Sequence, residues 1–313
     1  MDTKLKGILL AAFGGSMWGL SGVVAQVLFN RYSASTEWLV STRLLSAGIL
    51  ILIYSRMVKK DNIFAIIRNS KDLIQLVLFS IFGMVGVQYL FFKAIEVSSA
   101  SVATILQFTA PLFVYFYMLL RGEKHLKVQE LFLVFTTFFG VLLIVTNGNF
   151  TQMTVSPIGF LLGIGSAIAV VFYTLQPRNL LTKYGPPMIV GWGMLIGGIL
   201  FQFIHPFWQP GFKMTGQSYL LLAVIVLFGT AFSFISYLAS LNYIEASLAS
   251  IMTALEPLLA AVFSVFVFKK IFGLYEIMGI IIVLVSVLIL SNLGNHKSLK
   301  QVAVKEIERD SIR

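Results

Sequence analysis

The sequence predicts an all-α membrane protein of ten transmembrane helices, arranged as two inverted five-helix repeats. Three observations carry that expectation. Apolar residues make up 58% of the chain and charged ones only 12%, which leaves too little polar skin to surround a soluble core of this size. The apolar residues fall into ten runs, each near the roughly 20 residues that a spanning helix needs. Finally, one of these runs matches another at a shift of 146 residues.

Taken in order, the first run covers 7–29. It is longer than the apolar stretch of a secretory leader and more such runs follow, so it reads as the first membrane helix. Runs at 37–58, 73–95, 99–120 and 128–147 complete a first unit spanning 1–147. A linker, 148–156, leads into a second unit, 157–293, with runs at 157–177, 187–207, 218–241, 247–268 and 274–293. Few residues separate the third run from the fourth, and the eighth from the ninth, so each pair forms a tight antiparallel hairpin. A β-barrel is excluded, because the runs are too long and lack period-two alternation. Residues 59–72 mix apolar and basic side chains and read as either a surface-lying segment or a solvated loop. Residues 294–313 are polar and charged and read as a cytoplasmic tail.

The net charge of +10 is spread over short segments between apolar runs, the distribution of membrane loops and not of a nucleic-acid surface. With the N-terminus inside, 17 Lys and Arg fall on the inner side and 5 on the outer side. That bias places both termini in the cytoplasm, with Lys269–Lys270 as the local exception. The chain has no cysteine, and its histidines, His125, His205 and His296, are far apart in sequence. Neither a disulfide framework nor a local metal motif is present, and no cofactor is expected.

The repeat is clearest in the fourth and ninth runs. ASVATILQFTAPL (100–112) lies on ASLASIMTALEPL (246–258) without a gap, pairing Pro111 with Pro257 and Ala110 with Glu256. A weaker match sets GSMWGLSGVVAQ (15–26) on GSAIAVVFYTLQ (165–176). Five helices per unit is an odd number, so the second unit enters the membrane inverted, a plan that recurs in alternating-access transporters.

Several short marks then come together: Trp18–Gly19 in MWGLSG, Arg43–Leu44 in the second run, the AP and EP steps at Pro111 and Pro257, and Gly122–Glu123 before an apolar run ending GVLLIV. In this order and spacing the chain resembles the EamA-type branch of the drug/metabolite transporter superfamily over nearly its whole length. It departs from that pattern at Lys269, which stands where the second copy often has an acid. The resemblance implies a transporter in the cell membrane, commonly an exporter, of amino acids, other metabolites or toxic organic compounds, with the substrate in a central cavity.

Charges at membrane depth are costly and normally face protein or a water-filled cavity. Arg43 is one such charge. It reads as a substrate-anion contact or, because the family pattern keeps an arginine there across varied cargo, as a structural pair. Glu256 is the other, near the centre of the ninth run and directly before Pro257, whose missing N–H frees a carbonyl one turn back. It reads as a proton-coupling or cation-recognising group, or as a neutral carboxyl bonded to a neighbouring helix. Pro111 and Pro257 are mid-helix kinks and hinge candidates. Trp18, Gln88, Tyr89, Thr104, Gln107, Tyr173, Gln176, Ser233, Ser236, Tyr237 and Thr253 lie at similar depth. Each alone reads as interhelical glue, and together they suggest a weakly polar cavity with aromatic walls. Trp192 reads as an interfacial anchor.

The expected partners are therefore the lipid bilayer, a small-molecule substrate and a proton or other coupling ion. No G-x-x-x-x-G-K loop supplies ATP binding, so a secondary carrier is favoured. A channel or scaffold would more naturally use oligomeric symmetry or a charged ring. An intramembrane enzyme would need paired acids, a histidine cluster or an activated serine, and HExxH is absent.

Overall fold

The computed structural model describes residues 3–122, 127–149, 154–244, 248–249 and 252–290. The tail at 294–313, the middle of the linker, Glu123, His125, His296 and part of the 246–251 repeat segment lie outside the described residues. Within them the chain is all-helical. The helices are α1 (Thr3–Tyr32), α2 (Thr36–Met57), α3 (Ser70–Val97), α4 (Ala100–Leu120), α5 (Val128–Thr146) and α6 (Pro157–Leu175). They continue as the short α7 (Arg178–Tyr184), α8 (Pro186–Gln202), α9 (Gly216–Ser240), α10 (Leu255–Phe268) and α11 (Leu274–Leu290). Seven of the described helices are long and apolar enough to cross a membrane, or eight if α7 and α8, which meet at 120°, are one span; α10 and α11 are shorter apolar helices.

Helix starts follow local chemistry. Ser35, Ser99 and Ser156 each accept a hydrogen bond from a first-turn backbone N–H of α2, α4 and α6, satisfying donors that have no partner inside the helix. Thr215 and Ser218 form a reciprocal capping box at α9, and prolines occupy the first turn of α6 and α8, where no N–H is needed.

Helices meet closely where glycine removes the side chain. At Gly48 of α2, a Cβ would lie 2.5 Å from the backbone nitrogen of Leu195, and at Gly198 of α8 it would lie 2.5 Å from that of Leu45. These two contacts bring the backbones of α2 and α8 directly together. Large apolar side chains such as Phe132, Phe135 and Phe139 of α5 and Phe266 of α10 remain on the outside, as lipid-facing surface requires.

Two features depart from regular α-helix. In α3 the stretch Phe79–Val85, and in α9 the stretch Val224–Phe232, are π-helical; shifted by 146 residues, the first falls inside the second. In α4 the helix is interrupted by a turn at Phe108–Thr109, and the chain before α10 turns at Thr253–Ala254. The expectation of mid-helix kinks at Pro111 and Pro257 is corrected here. Pro111 is the second residue of the segment Ala110–Leu120, and Pro257 the third of α10. Each proline sits where its missing N–H breaks no ladder, and the discontinuity lies in the turn before it.

Candidate functional site

The two turns, through Phe108 and Thr253, and the α3 π segment, through Met84, border one cavity of about 680 Å³, within the range of small-molecule sites. Its wall draws on α1, α2, α3, α4, α6, α9, α10 and α11. The lining extends to Met118 in the last turn of α4, to Arg178 and to Leu290, the last described residue of α11. In the other direction it stops at Phe92 and Thr104, short of the end where α1 and α3 finish and α2 and α4 begin. We call these the Arg178 end and the Thr36 end.

Arg43 enters from α2 and is only 3% exposed. Its Nε donates to Thr230 Oγ1 at 2.6 Å and its Nη2 to the Gly229 carbonyl at 3.1 Å. Both acceptors belong to the α9 π segment, where Thr230 Oγ1 also donates to the Ile225 carbonyl at 2.8 Å. The hydroxyl hydrogen is thus used within its own helix, and the oxygen is left to receive the arginine. The guanidinium stacks over Phe92 of α3, 4.5 Å from its centroid, a geometry that favours a desolvated cation.

Glu256 lines the same cavity from the first turn of α10, where the helix dipole favours a negative charge. Its backbone is pressed against α1, since a Cβ on Gly19 would collide with the Glu256 carbonyl. Trp18, one residue away, packs edge-on to Phe234 at 5.1 Å and tilted on Tyr237 at 5.4 Å. The Trp18 Nε1 and the Gln107 Nε2, at the α4 turn, are buried in the wall without a hydrogen-bond partner among the described residues. Tyr173 stacks on Phe79 of the α3 π segment, with centroids 5.5 Å apart.

The EamA-like transporter family matches this chain twice, over residues 5–146 and 157–292. The chain belongs to that family. It is 34% identical over 291 residues to an uncharacterized inner membrane transporter, YicL, of Salmonella typhimurium, covering 93% of this chain and 97% of that one. An uncharacterized transporter of Archaeoglobus fulgidus is 26% identical over 194 residues, covering 61% of this chain and 67% of the relative. A solved crystal structure superposes with a TM-score of 0.62 at 14% identity, over 94% of this chain and 98% of its own. At that identity the likeness speaks for the fold alone. The family and the apolar helices make this EamA-like protein a membrane transporter, a class distinct from enzymes.

Of the residues singled out in the sequence, the transporter's cavity gathers Trp18, Arg43, Gln88, Thr104, Gln107, Pro111, Tyr173, Tyr237, Thr253 and Glu256. It does not include Tyr89, Gln176, Ser233, Ser236 or Pro257. Tyr89 turns away from its neighbour Gln88 and donates to Glu37 at 3.0 Å. Gln176 donates to the Gln75 carbonyl, tying α6 to α3, and the Ser233 hydroxyl donates to the Phe228 carbonyl of its own helix. Trp192 donates to the Ile63 carbonyl at 2.7 Å, pinning the 59–72 segment, which carries a short 3₁₀ turn at Ile66–Arg68.

Sequence reasoning missed Arg178, counted only as a loop charge, and Thr230, the arginine's acceptor. It also missed the network at the Thr36 end. There Lys93 of α3 pairs with Glu37 at 3.2 Å and with Glu96 at 2.8 Å, while Thr36 donates to Glu96 at 2.6 Å. At the Arg178 end, Lys183 and Tyr184 of α7 both reach Asp72 of α3, at 2.5 and 2.6 Å. Apart from Lys93–Glu96, three residues apart on one helix and so readable as a local pair, these partnerships have no signal in a single sequence, because each joins residues 52 or more positions apart.

Proposed function

We propose that this EamA-like protein is a secondary transporter in the cell membrane that exports small organic metabolites, such as amino acids or related amphipathic compounds, by alternating access. In this reading ten spans form two inverted repeats with both termini in the cytoplasm, α8, α10 and α11 supplying the spans beyond the seven long ones. The observation that carries it is the cavity itself. It lies between the two matched stretches of the chain, is bordered by both helix interruptions, and reaches one end of the bundle and not the other. Paired interrupted helices around a midplane site suit a carrier that exposes its site to each side in turn. The π segments at matching register and the double family match support the repeat. Opposite charges at Arg43 and Glu256, with aromatic walls, suit an amphipathic solute better than a bare inorganic ion.

The test is mass spectrometry of medium from cells expressing wild type or Glu256→Gln at matched membrane levels. One metabolite class should accumulate outside with wild type and fall at least tenfold, on the order of one lost charge contact, with the variant. Equal export by both would remove Glu256 from the cycle. Proteoliposome counterflow separates carrier from channel: a labelled solute should accumulate transiently against excess unlabelled solute inside, and its failure to do so would favour a channel.

A further inference from the structure

The network at the Thr36 end lies outside the cavity, and nothing so far gives it a task. Its position is informative. Glu37 is six residues before Arg43 on α2, and Lys93 directly follows Phe92 on α3. Arg43 and Phe92, stacked at 4.5 Å, are the last cavity-lining residues of these two helices towards the Thr36 end. Immediately beyond them, the same two helices are joined again by Lys93 with Glu37 and by Thr36 with Glu96. Tyr89 adds a hydrogen bond to Glu37, and Glu96 a second contact to Lys93.

The chemistry suits a contact that must break and re-form. The side chains of Lys93, Glu37 and Glu96 are each about a quarter exposed, at 27%, 24% and 26%. Partly hydrated ion pairs of this kind are individually weak, unlike a dry pair whose separation would strand a charge. One lysine serves two carboxylates, so the loss of that single cation leaves two like charges facing each other across the α2–α3 seam. The interaction is therefore concentrated in one residue.

We propose that Glu37, Lys93 and Glu96, with Thr36 and Tyr89, form a gate latch that closes the cavity at the Thr36 end and parts when that end opens. This rests on the alternating-access reading but requires no knowledge of the cargo. With no native cysteine, a single Val87→Cys on the cavity wall reports access directly. The full-length Val87→Cys chain in sealed vesicles of each orientation would be exposed to a membrane-impermeant maleimide from one face at a time.

Labelling should be fast from the Arg178 face and slow from the Thr36 face. Adding Lys93→Met or Glu37→Gln should raise the Thr36-face rate by roughly five- to tenfold, the population shift expected from losing a shared ion pair. Adding Asp72→Asn, which removes a pair of the same kind at the other end, should leave that rate unchanged and so controls for general loosening. Unchanged Thr36-face labelling in Lys93→Met and Glu37→Gln would overturn the latch, as would an equal rise in Asp72→Asn. Fast labelling from both faces without either latch substitution would overturn the latch and the carrier reading together. Loss of counterflow with the latch results intact would sink the carrier reading alone.

Discussion

The π segments of α3 and α9 share a register but not their partners. Each is packed against a helix from the other half of the chain, α8 on the α3 segment and α2 on the α9 segment. On the α3 side that contact is apolar. Gly193 lets Phe79 approach and Gly197 admits Val85, while Ser80 donates inside its own helix to Leu76 at 2.7 Å. On the α9 side the contact is a buried guanidinium held by Gly229 and Thr230. The residue of α8 at the register of Arg43 is Gly193, because the reciprocal contacts of Gly48 with Leu195 and of Gly198 with Leu45 relate the two helices by a shift of 150. Backbone architecture is thus duplicated, whereas charge is placed on one side. Under the proposed alternating-access reading, shared backbone shape would serve a movement common to both halves, and the one-sided charge would suit a chemically lopsided solute.

Four substitutions would break or sharpen that contrast, each read by thermal or chemical denaturation of the full chain in nanodiscs. The largest effect is expected at Arg43→Ala, a loss of about 3–5 kcal/mol, because buried acceptors lose a charged donor. A loss below about 1 kcal/mol would mean that Arg43 does not hold the α9 segment. Gly193→Ala should cost about 1–3 kcal/mol by overpacking, since a Cβ there would meet the Phe79 ring at 2.7 Å; unchanged stability would show that the apolar seam has slack. Thr230→Val keeps shape but removes the acceptor for Arg43 Nε, and should cost about 1–3 kcal/mol. Coupling between Arg43→Ala and Thr230→Val in a double-mutant cycle would confirm that they act through one contact. The smallest effect, about 0.5–1.5 kcal/mol, is expected for Ser80→Ala, whose hydroxyl bonds only within its own helix. If Ser80→Ala proved as costly as Thr230→Val, the claimed asymmetry would fail.

Much of the helical layout was legible because hydropathy reads directly as lipid exposure. The runs at 7–29, 37–58, 73–95 and 157–177 correspond to α1, α2, α3 and α6 within a few residues. The sequence did not reveal how those helices depart from regularity. Pro111 and Pro257 marked the right neighbourhoods, but a proline is compatible with a kink or with a first turn, and only tertiary contacts choose between them. Neither FSIFGMV nor VIVLFGTAF carries a residue that demands π geometry. Arg43 and Glu256 were conspicuous because charge is expensive in lipid. Lys93 was less so, because near a helix end the same charge costs little. Its cross-helix partner Glu37 is set by the crossing of α2 and α3. Tyr89 and Gln88 show the limit most plainly: they are adjacent and polar at the same depth, yet one faces an ion network and the other the cavity.

The widened turns carry one more consequence. A turn closed by an i→i−5 bond takes up about one residue more than one closed by i→i−4, and one residue is about 100° of rotation in an α-helix of 3.6 residues per turn. Phe234 and Tyr237 follow the α9 segment directly, and Gln88 and Phe92 follow that of α3. Each segment works like the offset in a dial, setting which side chains of the downstream helix face inward. Removing a single residue from either stretch would leave composition and hydropathy almost untouched, yet present the cavity with a different row of side chains.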